Sequence, residues 1–219
     1  MGQILDAAFR TYSRRPLLFI VIAAIVLVPY GAVSVIVNHA KHVQTSTEFV
    51  IVLAGVAIVN PFVSALQMQA LMDLGSGGRP AARDVIRRGL AVLPVVVAAD
   101  IVAAIAEFAG LFFFILPGVL IALRLAVVAP AAACERITWP EALSRSFAMT
   151  RGNAWRVLGI LLIQTVLLYL VAAITGAHSV AVAIAGAALW VVAQSFCALL
   201  INLLYFDLRA RQMAPVAWQ

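Results

Sequence analysis

Two residues of opposite charge lie inside one apolar stretch, where ionisable side chains are rare. Asp100 and Arg124 both fall within the run 90–134. A charge at bilayer depth costs about 2.5–3.5 kcal/mol on insertion scales, so it normally faces an opposite charge or a watery cavity. If the run folds back as two spans, about 1.5 Å per residue places both side chains roughly 15 Å from the same membrane surface. We therefore predict that they meet.

Three amide side chains lie inside other apolar stretches and extend this pair. The predicted intramembrane polar centre consists of Asp100, Arg124, Gln164, Gln194 and Asn202. Such a centre can bind or relay a solute, and it can equally be a structural ion pair that locks a hairpin of helices. The sequence leaves both interpretations open.

No arrangement typical of an enzyme accompanies the predicted centre. Asp100 is the only acid at depth, no histidine is near it, and neither a serine–histidine pair nor metal-ligand spacing is present. We therefore predict no catalytic residue, no metal and no cofactor, and a protein that is not an enzyme.

Positioning these residues requires helices that cross a membrane. The 219 residues are 65% hydrophobic and 11% charged, and the mean hydropathy is +1.09, which is far more apolar than a soluble domain. The apolar stretches reach about 18 residues or more, enough to cross a hydrocarbon core of roughly 30 Å. The short alternating segments of a membrane β-barrel are absent. The sequence therefore predicts an all-α polytopic membrane protein.

We predict a single transmembrane domain over residues 1–219, with six spans. Two spans share 90–134 through a tight turn near Glu107–Gly110. The other four cover 17–37, 49–72, 155–175 and 180–206. Arginines lie before the first span, between the second and third, between the fourth and fifth, and after the sixth. The three other turns contain a single lysine or arginine, Lys41. By the positive-inside rule both termini lie in the cytoplasm. The expected location is the cell membrane, which is a bacterial inner membrane if the resemblance described below holds.

Three short, basic, amphipathic helices are predicted on the cytoplasmic surface, each just before a pair of spans. They cover 2–15, 80–88 and 138–151, and they end at Pro16, Gly89 and Gly152. In the third, Thr138 and Glu141 have the spacing of a capping box. Its predicted apolar side contains Leu143, Phe147 and Thr150.

Each predicted surface helix carries an acid followed four residues later by an arginine, the spacing of an ion pair on one helix face. The pairs are Asp6–Arg10, Asp84–Arg88 and Glu141–Arg145. With the hairpin of spans that follows, each helix defines one of three candidate repeats, 1–72, 79–134 and 138–206. Chance amphipathicity is the alternative explanation.

The surface arginines are the predicted contacts to anionic lipid, because a basic residue near an anionic leaflet contributes about 1 kcal/mol. They are Arg14, Arg15, Arg83, Arg87, Arg88, Arg145 and Arg151. The favoured function is organisation of lipids or partner proteins at the cytoplasmic face. A small-solute permease or channel-like bundle that uses the polar centre is the alternative.

Membrane lipids are therefore the predicted partners, and a protein partner or a homo-oligomer stays open. The net charge of +6 does not indicate a nucleic-acid partner, because the arginines lie in short segments between spans and no basic domain with aromatic side chains is present.

Three segments carry a resemblance to a known family. They are LPGVLIALRLAVVAP from Leu116, EALSRSFAMTRGNAWRVLGILL from Glu141 and LLYFDLRARQ from Leu203. With them the chain resembles the membrane domains found ahead of bacterial glycerophosphoryl diester phosphodiesterases, of which free-standing relatives are known. The resemblance covers essentially the whole chain and implies a six-span helical bundle. It implies no catalytic activity, because the phosphodiesterase reaction belongs to a separate soluble barrel with its own histidines and metal-binding carboxylates.

Overall fold

The computed structural model describes residues 2–39, 55–78, 80–113, 115–174 and 180–213. These residues form nine α-helices and one π-helical turn, Gly55–Val59, which precedes α3. The helices are α1 Gly2–Arg14, α2 Pro16–His39, α3 Asn60–Gly75, α4 Ala82–Phe113, α5 Ile115–Leu125, α6 Val128–Glu135, α7 Trp139–Thr150, α8 Ala154–Ile174 and α9 Val180–Met213. The described part of the chain is all-helical, as the sequence predicts.

Five helical segments of the described residues are long and apolar enough to cross a membrane. They are Pro16–Ser34, Ala82–Phe113, Leu116–Glu135, Ala154–Ile174 and Ala185–Met213. Their exposed side chains include large apolar ones, such as Phe112 at 78% and Tyr169 at 74% exposure. Such a surface is stable when lipid covers it. The fold is that of a helical membrane protein.

The segment predicted as the second span, 49–72, is described only in part. Residues 49–54 lie outside the described residues. The remainder is divided between the π-helical turn and α3, and it is not among the five segments above. α3 nevertheless lies deep in the bundle, with every residue from Val63 to Leu71 buried.

The prediction that Gly89 ends a surface helix is wrong, because α4 continues through it without interruption. Gly89 is buried, and a Cβ at this position would overlap the Leu66 side chain of α3. The glycine therefore allows α3 and α4 to pack closely. The segment 80–88 is consequently not a separate surface helix, since its residues from Ala82 onward form the first turns of α4.

The turn predicted near Glu107–Gly110 is also misplaced, because α4 continues to Phe113 and α5 begins at Ile115. A Cβ at Gly110 would lie 2.8 Å from the Gly118 Cα atom of α5. These two glycines therefore mark a close crossing of the two helices of the hairpin, rather than the turn itself.

The fourth predicted span is not one continuous helix. A two-residue turn at 126–127 separates α5 from α6. Such a break leaves carbonyl groups at the end of α5 without helical partners, and α7 supplies partners for one of them. The Ser146 and Thr150 hydroxyls donate to the Arg124 carbonyl at 2.8 and 3.2 Å. α7 thus packs against the break.

The ends of α7 are as predicted, and the face that it buries against the bundle includes one residue of the predicted apolar side. Thr138 N–H donates to Glu141 Oε2 at 2.9 Å, as in a capping box, and Gly152, with a φ of +81°, follows the last turn. Phe147, expected on the apolar side, is 52% exposed. The buried face consists of Ala142, Ser146, Met149 and Thr150, so Thr150 is the residue that it shares with the predicted apolar side. Mostly small side chains face the bundle because α7 lies close to the α5–α6 break.

The main hydrophobic core includes residues of α1, so this helix is part of the bundle. Ile4 and Ala8 are buried in that core together with Tyr205 of α9. The Tyr12 hydroxyl donates to the Val192 carbonyl at 3.4 Å. α1 is therefore held against α9 by an apolar stripe, while its arginines remain exposed.

Candidate functional site

A partly open cavity of about 150 Å³, with both polar and apolar lining residues, lies between the helices of the bundle. Its polar lining residues are Asn60 and Ser64 of α3, Asp100 of α4, Gln164 of α8 and Gln194 of α9. Ala126 and Ala129 also line it, so the cavity borders the break between α5 and α6. The structure thus brings together three of the five residues of the predicted polar centre.

The cavity offers hydrogen-bond acceptors. Gln194 Nε2 donates to Asn60 Oδ1 at 2.7 Å. Gln194 Oε1 and Gln164 Oε1 are buried and accept no hydrogen bond within the described part of the chain. Together with the Asp100 carboxylate, these oxygens suit water, a small donor or a small cation. The arrangement can bind such a species, and it pairs no nucleophile with a base.

Asn202 lies beside the cavity and is joined to it through Ser64. The Ser64 hydroxyl donates to Asn202 Oδ1 at 3.0 Å, and Asn202 Nδ2 donates to the Ser64 carbonyl at 3.1 Å. Both residues are buried. This reciprocal pair ties α3 to α9, so Asn202 supports the cavity wall.

The predicted ion pair between Asp100 and Arg124 is not formed, since the ion pairs of the described residues do not include it. The Arg124 guanidinium lies over the Phe147 ring, 5.1 Å from its centroid. The predicted depth of Arg124 was counted at about 1.5 Å per residue along a continuous helix, whereas the chain is interrupted by the turn at 126–127, just after Arg124. Arg124 occupies the last turn of α5 and contacts α7.

The predicted centre omits two amides that the structure buries completely, Gln67 and Gln69 of α3. Gln67 Nε2 donates at 3.1 Å both to the Ser195 carbonyl and to its hydroxyl. Gln69 Nε2 donates to the Ala133 carbonyl of α6 at 3.0 Å. The signal was present in the sequence, because an amide flanked by apolar residues in a span needs a partner.

Only one of the three predicted acid–arginine pairs forms as expected. Asp6 and Arg10 of α1 are joined at 2.9 Å. Arg88 instead binds both carboxylate oxygens of Asp73 at the end of α3, with 2.8 Å between Nη1 and Oδ1. Asp84 Oδ1 instead lies 3.8 Å from Arg87 Nη2 on the same helix.

The third predicted pair is also replaced by one between helices. Arg145 Nε donates to Glu135 Oε1 of α6 at 3.1 Å, while Glu141 accepts the capping bond from Thr138. That backbone hydrogen bond lowers the pKa of Glu141. In both replacements the acid at the end of one helix competes successfully with the acid on the arginine's own helix, because it is much less exposed to water.

The predicted lipid contacts divide into two groups. Arg88 and Arg145 are held in the ion pairs above, with side chains 31% and 37% exposed. The remaining predicted contacts are all exposed, namely Arg14, Arg15, Arg83, Arg87 and Arg151. Arg14 and Arg15 also line a groove of about 550 Å³ between α1, α3 and α9.

Comparisons with protein-family models, with curated proteins and with solved structures find no match for this chain.

Proposed function

We propose that this membrane protein organises anionic lipids, or partner proteins, at the cytoplasmic face of the membrane. The observation that carries the proposal is a surplus of free arginine side chains. Arg14, Arg15, Arg83 and Arg151 are exposed, and none of them takes part in an ion pair within the described part of the chain. Exposed arginines without acidic partners are available to lipid phosphates.

The proposed topology has six spans, both termini in the cytoplasm of a bacterium and the protein in its inner membrane. The proposed second span is 49–72, of which residues 49–54 lie outside the described residues. α1 and α7 are the proposed interfacial helices. Each has one side buried in the bundle and another side that carries arginines. The support is the positive-inside distribution of the arginines.

The proposed threefold repeat is supported by a feature that recurs at the ends of three helices. Asp73 lies in the last turn of α3, Glu135 is the last residue of α6, and Asp207 lies near the C-terminal end of α9. Each of these acids pairs with an arginine of another helix: Asp73 with Arg88, Glu135 with Arg145, and Asp207 with Arg156. We propose that the repeats are 1–72, 79–134 and 138–206, each followed directly by such an acid.

The resemblance to the membrane domains of bacterial glycerophosphoryl diester phosphodiesterases is part of the same proposal. In that family the phosphodiesterase reaction belongs to the soluble barrel, so a membrane domain of this kind would act by binding rather than by catalysis. We therefore propose a protein that is not an enzyme and needs no cofactor.

A second function, passage or binding of a small solute, is favoured by the cavity between the helices. Asp100 lines a cavity beside the interrupted α5–α6 segment, and unpaired amide oxygens of Gln164 and Gln194 accompany it. Interrupted helices next to polar groups within a membrane are a recurring feature of transporters. The ligand class would be a small cation or hydrogen-bond donor.

One reconstitution experiment separates the two functions. Purified protein is placed in liposomes of phosphatidylcholine alone or with phosphatidylglycerol, and both lipid enrichment around the protein and leakage of entrapped Na⁺ are measured. A lipid-organising protein enriches phosphatidylglycerol and loses that enrichment as salt rises, because exposed charges are screened within about 8–10 Å.

The control is a Gln164→Ala variant, which alters the cavity and leaves every surface arginine in place. Lipid enrichment unchanged in this variant, with no Na⁺ flux in the wild type, supports the lipid function. The opposite outcome is a selective Na⁺ flux that disappears in the Gln164→Ala variant and persists when Arg83, Arg87 and Arg151 are replaced by glutamine. That result would favour the solute function over the lipid function.

A further inference from the structure

We infer that the groove between α1, α3 and α9 binds one anionic phospholipid. Its phosphate would lie between Arg14 and Arg15, and its first acyl carbons against Leu74, Leu203 and Phe206, all of which line the groove. This inference rests on the proposed function and names the site at which the lipid is held.

The charge at the rim of the groove is uncompensated. Arg14 and Arg15 are exposed, and they do not occur among the ion pairs of the described residues. The acids of the three surrounding helices are already engaged, namely Asp6 with Arg10, Asp73 with Arg88 and Asp207 with Arg211. Two adjacent guanidinium groups without a carboxylate suit a phosphate, which arginine binds through paired hydrogen bonds.

The wall of the groove is apolar. Leu74, Leu203 and Phe206 are partly buried and pack on a small core cluster that contains Phe19 and Leu199. A free phosphate would leave this wall uncovered, and a purely apolar ligand would leave both arginines without a partner. A molecule with an anionic head and a hydrocarbon chain satisfies both parts.

The size of the groove agrees with part of a lipid. Its volume of about 550 Å³ is within the roughly 300–1,000 Å³ typical of small-molecule sites. The groove also lies where α1 meets α2, next to Pro16, the first residue of a candidate span. A lipid in the adjoining leaflet can therefore place its head at the arginines while its tails remain in the bilayer.

The test is native mass spectrometry of the intact protein in neutral detergent, titrated with phosphatidylglycerol or phosphatidylcholine. We expect one phosphatidylglycerol to bind more tightly than the rest. The double variant Arg14→Gln/Arg15→Gln should weaken this first site at least about tenfold, since it removes charge-assisted hydrogen bonds. The matched control Arg10→Gln/Arg136→Gln removes the same charge at two exposed arginines that are not among the proposed lipid contacts and do not line the groove. It should change the affinity of the first site less than about twofold.

A second pair of measurements examines the wall and the source of the phosphate. Leu74→Asn should weaken the first phosphatidylglycerol without altering the net charge, and glycerol 3-phosphate at equal concentration should not displace it. Melting temperatures in detergent verify that the variants fold. We expect no change for the arginine variants, because the substituted arginines are exposed, whereas Leu74 is partly buried, so the Leu74→Asn result counts only if this variant still melts cooperatively.

The outcomes distinguish failure of the groove from failure of the function. Equal losses in the two double variants, displacement by glycerol 3-phosphate, or a protein dimer in place of the lipid adduct would each refute the groove and leave general lipid binding standing. No preference of the wild type for phosphatidylglycerol over phosphatidylcholine would refute both.

Discussion

The Tyr205 hydroxyl donates a 2.7 Å hydrogen bond to Glu135 Oε1, the same oxygen that accepts from Arg145. Tyr205 is fully buried, and it lies on α9, whereas Glu135 ends α6 and Arg145 lies on α7. One carboxylate therefore connects three helices at the edge of the main core. The connection makes the Glu135 carboxylate a tertiary contact rather than a surface charge.

Removing the tyrosine hydroxyl should loosen this junction. We expect Tyr205→Phe to lower the free energy of unfolding by about 1.5–3 kcal/mol, because the lost hydrogen bond is made to a charged group. Thermal unfolding in detergent measures the effect. The control is Tyr169→Phe, at a side chain that is 74% exposed, which should change stability by less than about 0.5 kcal/mol. Equal effects of the two substitutions would argue against the junction.

The ion pair between Arg88 and Asp73 should be a second tertiary link. Asp73→Asn leaves the partly buried Arg88 without its carboxylate, so we expect a loss of about 1–3 kcal/mol. Exchanging the two residues in a double variant should restore part of the loss. Arg83→Gln, at an exposed arginine, serves as control. Additive losses in the exchanged variant would mean that the two side chains do not interact.

The close crossing of α4 and α5 should not tolerate a methyl group. A Cβ at Gly118 would lie 2.5 Å from the Leu111 backbone nitrogen, so Gly118→Ala forces the two helices apart. We expect a cost of about 1–3 kcal/mol, the usual range for overpacking. Gly31→Ala is the matched control, because a Cβ there meets nothing within 4 Å and alanine favours the helix. Its melting temperature should stay level or rise.

The capping bond of α7 should make stability depend on pH. The backbone hydrogen bond from Thr138 lowers the pKa of Glu141 below its usual value. The capping bond therefore contributes its full stabilisation above the ordinary glutamate pKa. This stabilisation is lost as the pH falls through the lower pKa that Glu141 has in the folded protein. The gap in melting temperature between wild type and Glu141→Ala should narrow on acidification.

Glu141→Gln is the control, because its uncharged amide oxygen can still accept the hydrogen bond. The difference in melting temperature between Glu141→Gln and Glu141→Ala should not vary with pH. A gap between wild type and Glu141→Ala that is constant from neutral to acidic pH would count against the capping interaction.

The proposed topology predicts which positions reagents can reach from outside the cell. On a background without Cys134 and Cys197, a cysteine at Lys41 should react with an impermeant reagent in intact cells. A cysteine at Arg83 should react only after the membrane is opened, since arginine-rich segments stay in the cytoplasm. Reaction of position 83 from outside would overturn the six-span arrangement.

The sequence by itself determined the helical membrane fold, because hydrophobicity and helix-ending residues act locally. Apolar runs of span length are visible without any knowledge of neighbours. The helix over 139–150 was predictable from Thr138, Glu141 and Gly152, and the helix over 2–14 from its apolar stripe and Pro16.

Only the tertiary structure decided which polar groups meet. Spacing along one helix indicated Asp84 for Arg88 and Glu141 for Arg145, whereas equal predicted depth in two neighbouring spans indicated Asp100 for Arg124. The partners of Arg88 and Arg145 are instead acids of other helices, and Arg124 lies over an aromatic ring of α7. An arginine side chain reaches across to whichever group its neighbouring helix presents, and the better-buried carboxylate binds it more strongly because water screens it less. That choice depends on helix packing at sites such as Gly89 and the 126–127 turn, and local sequence does not encode it.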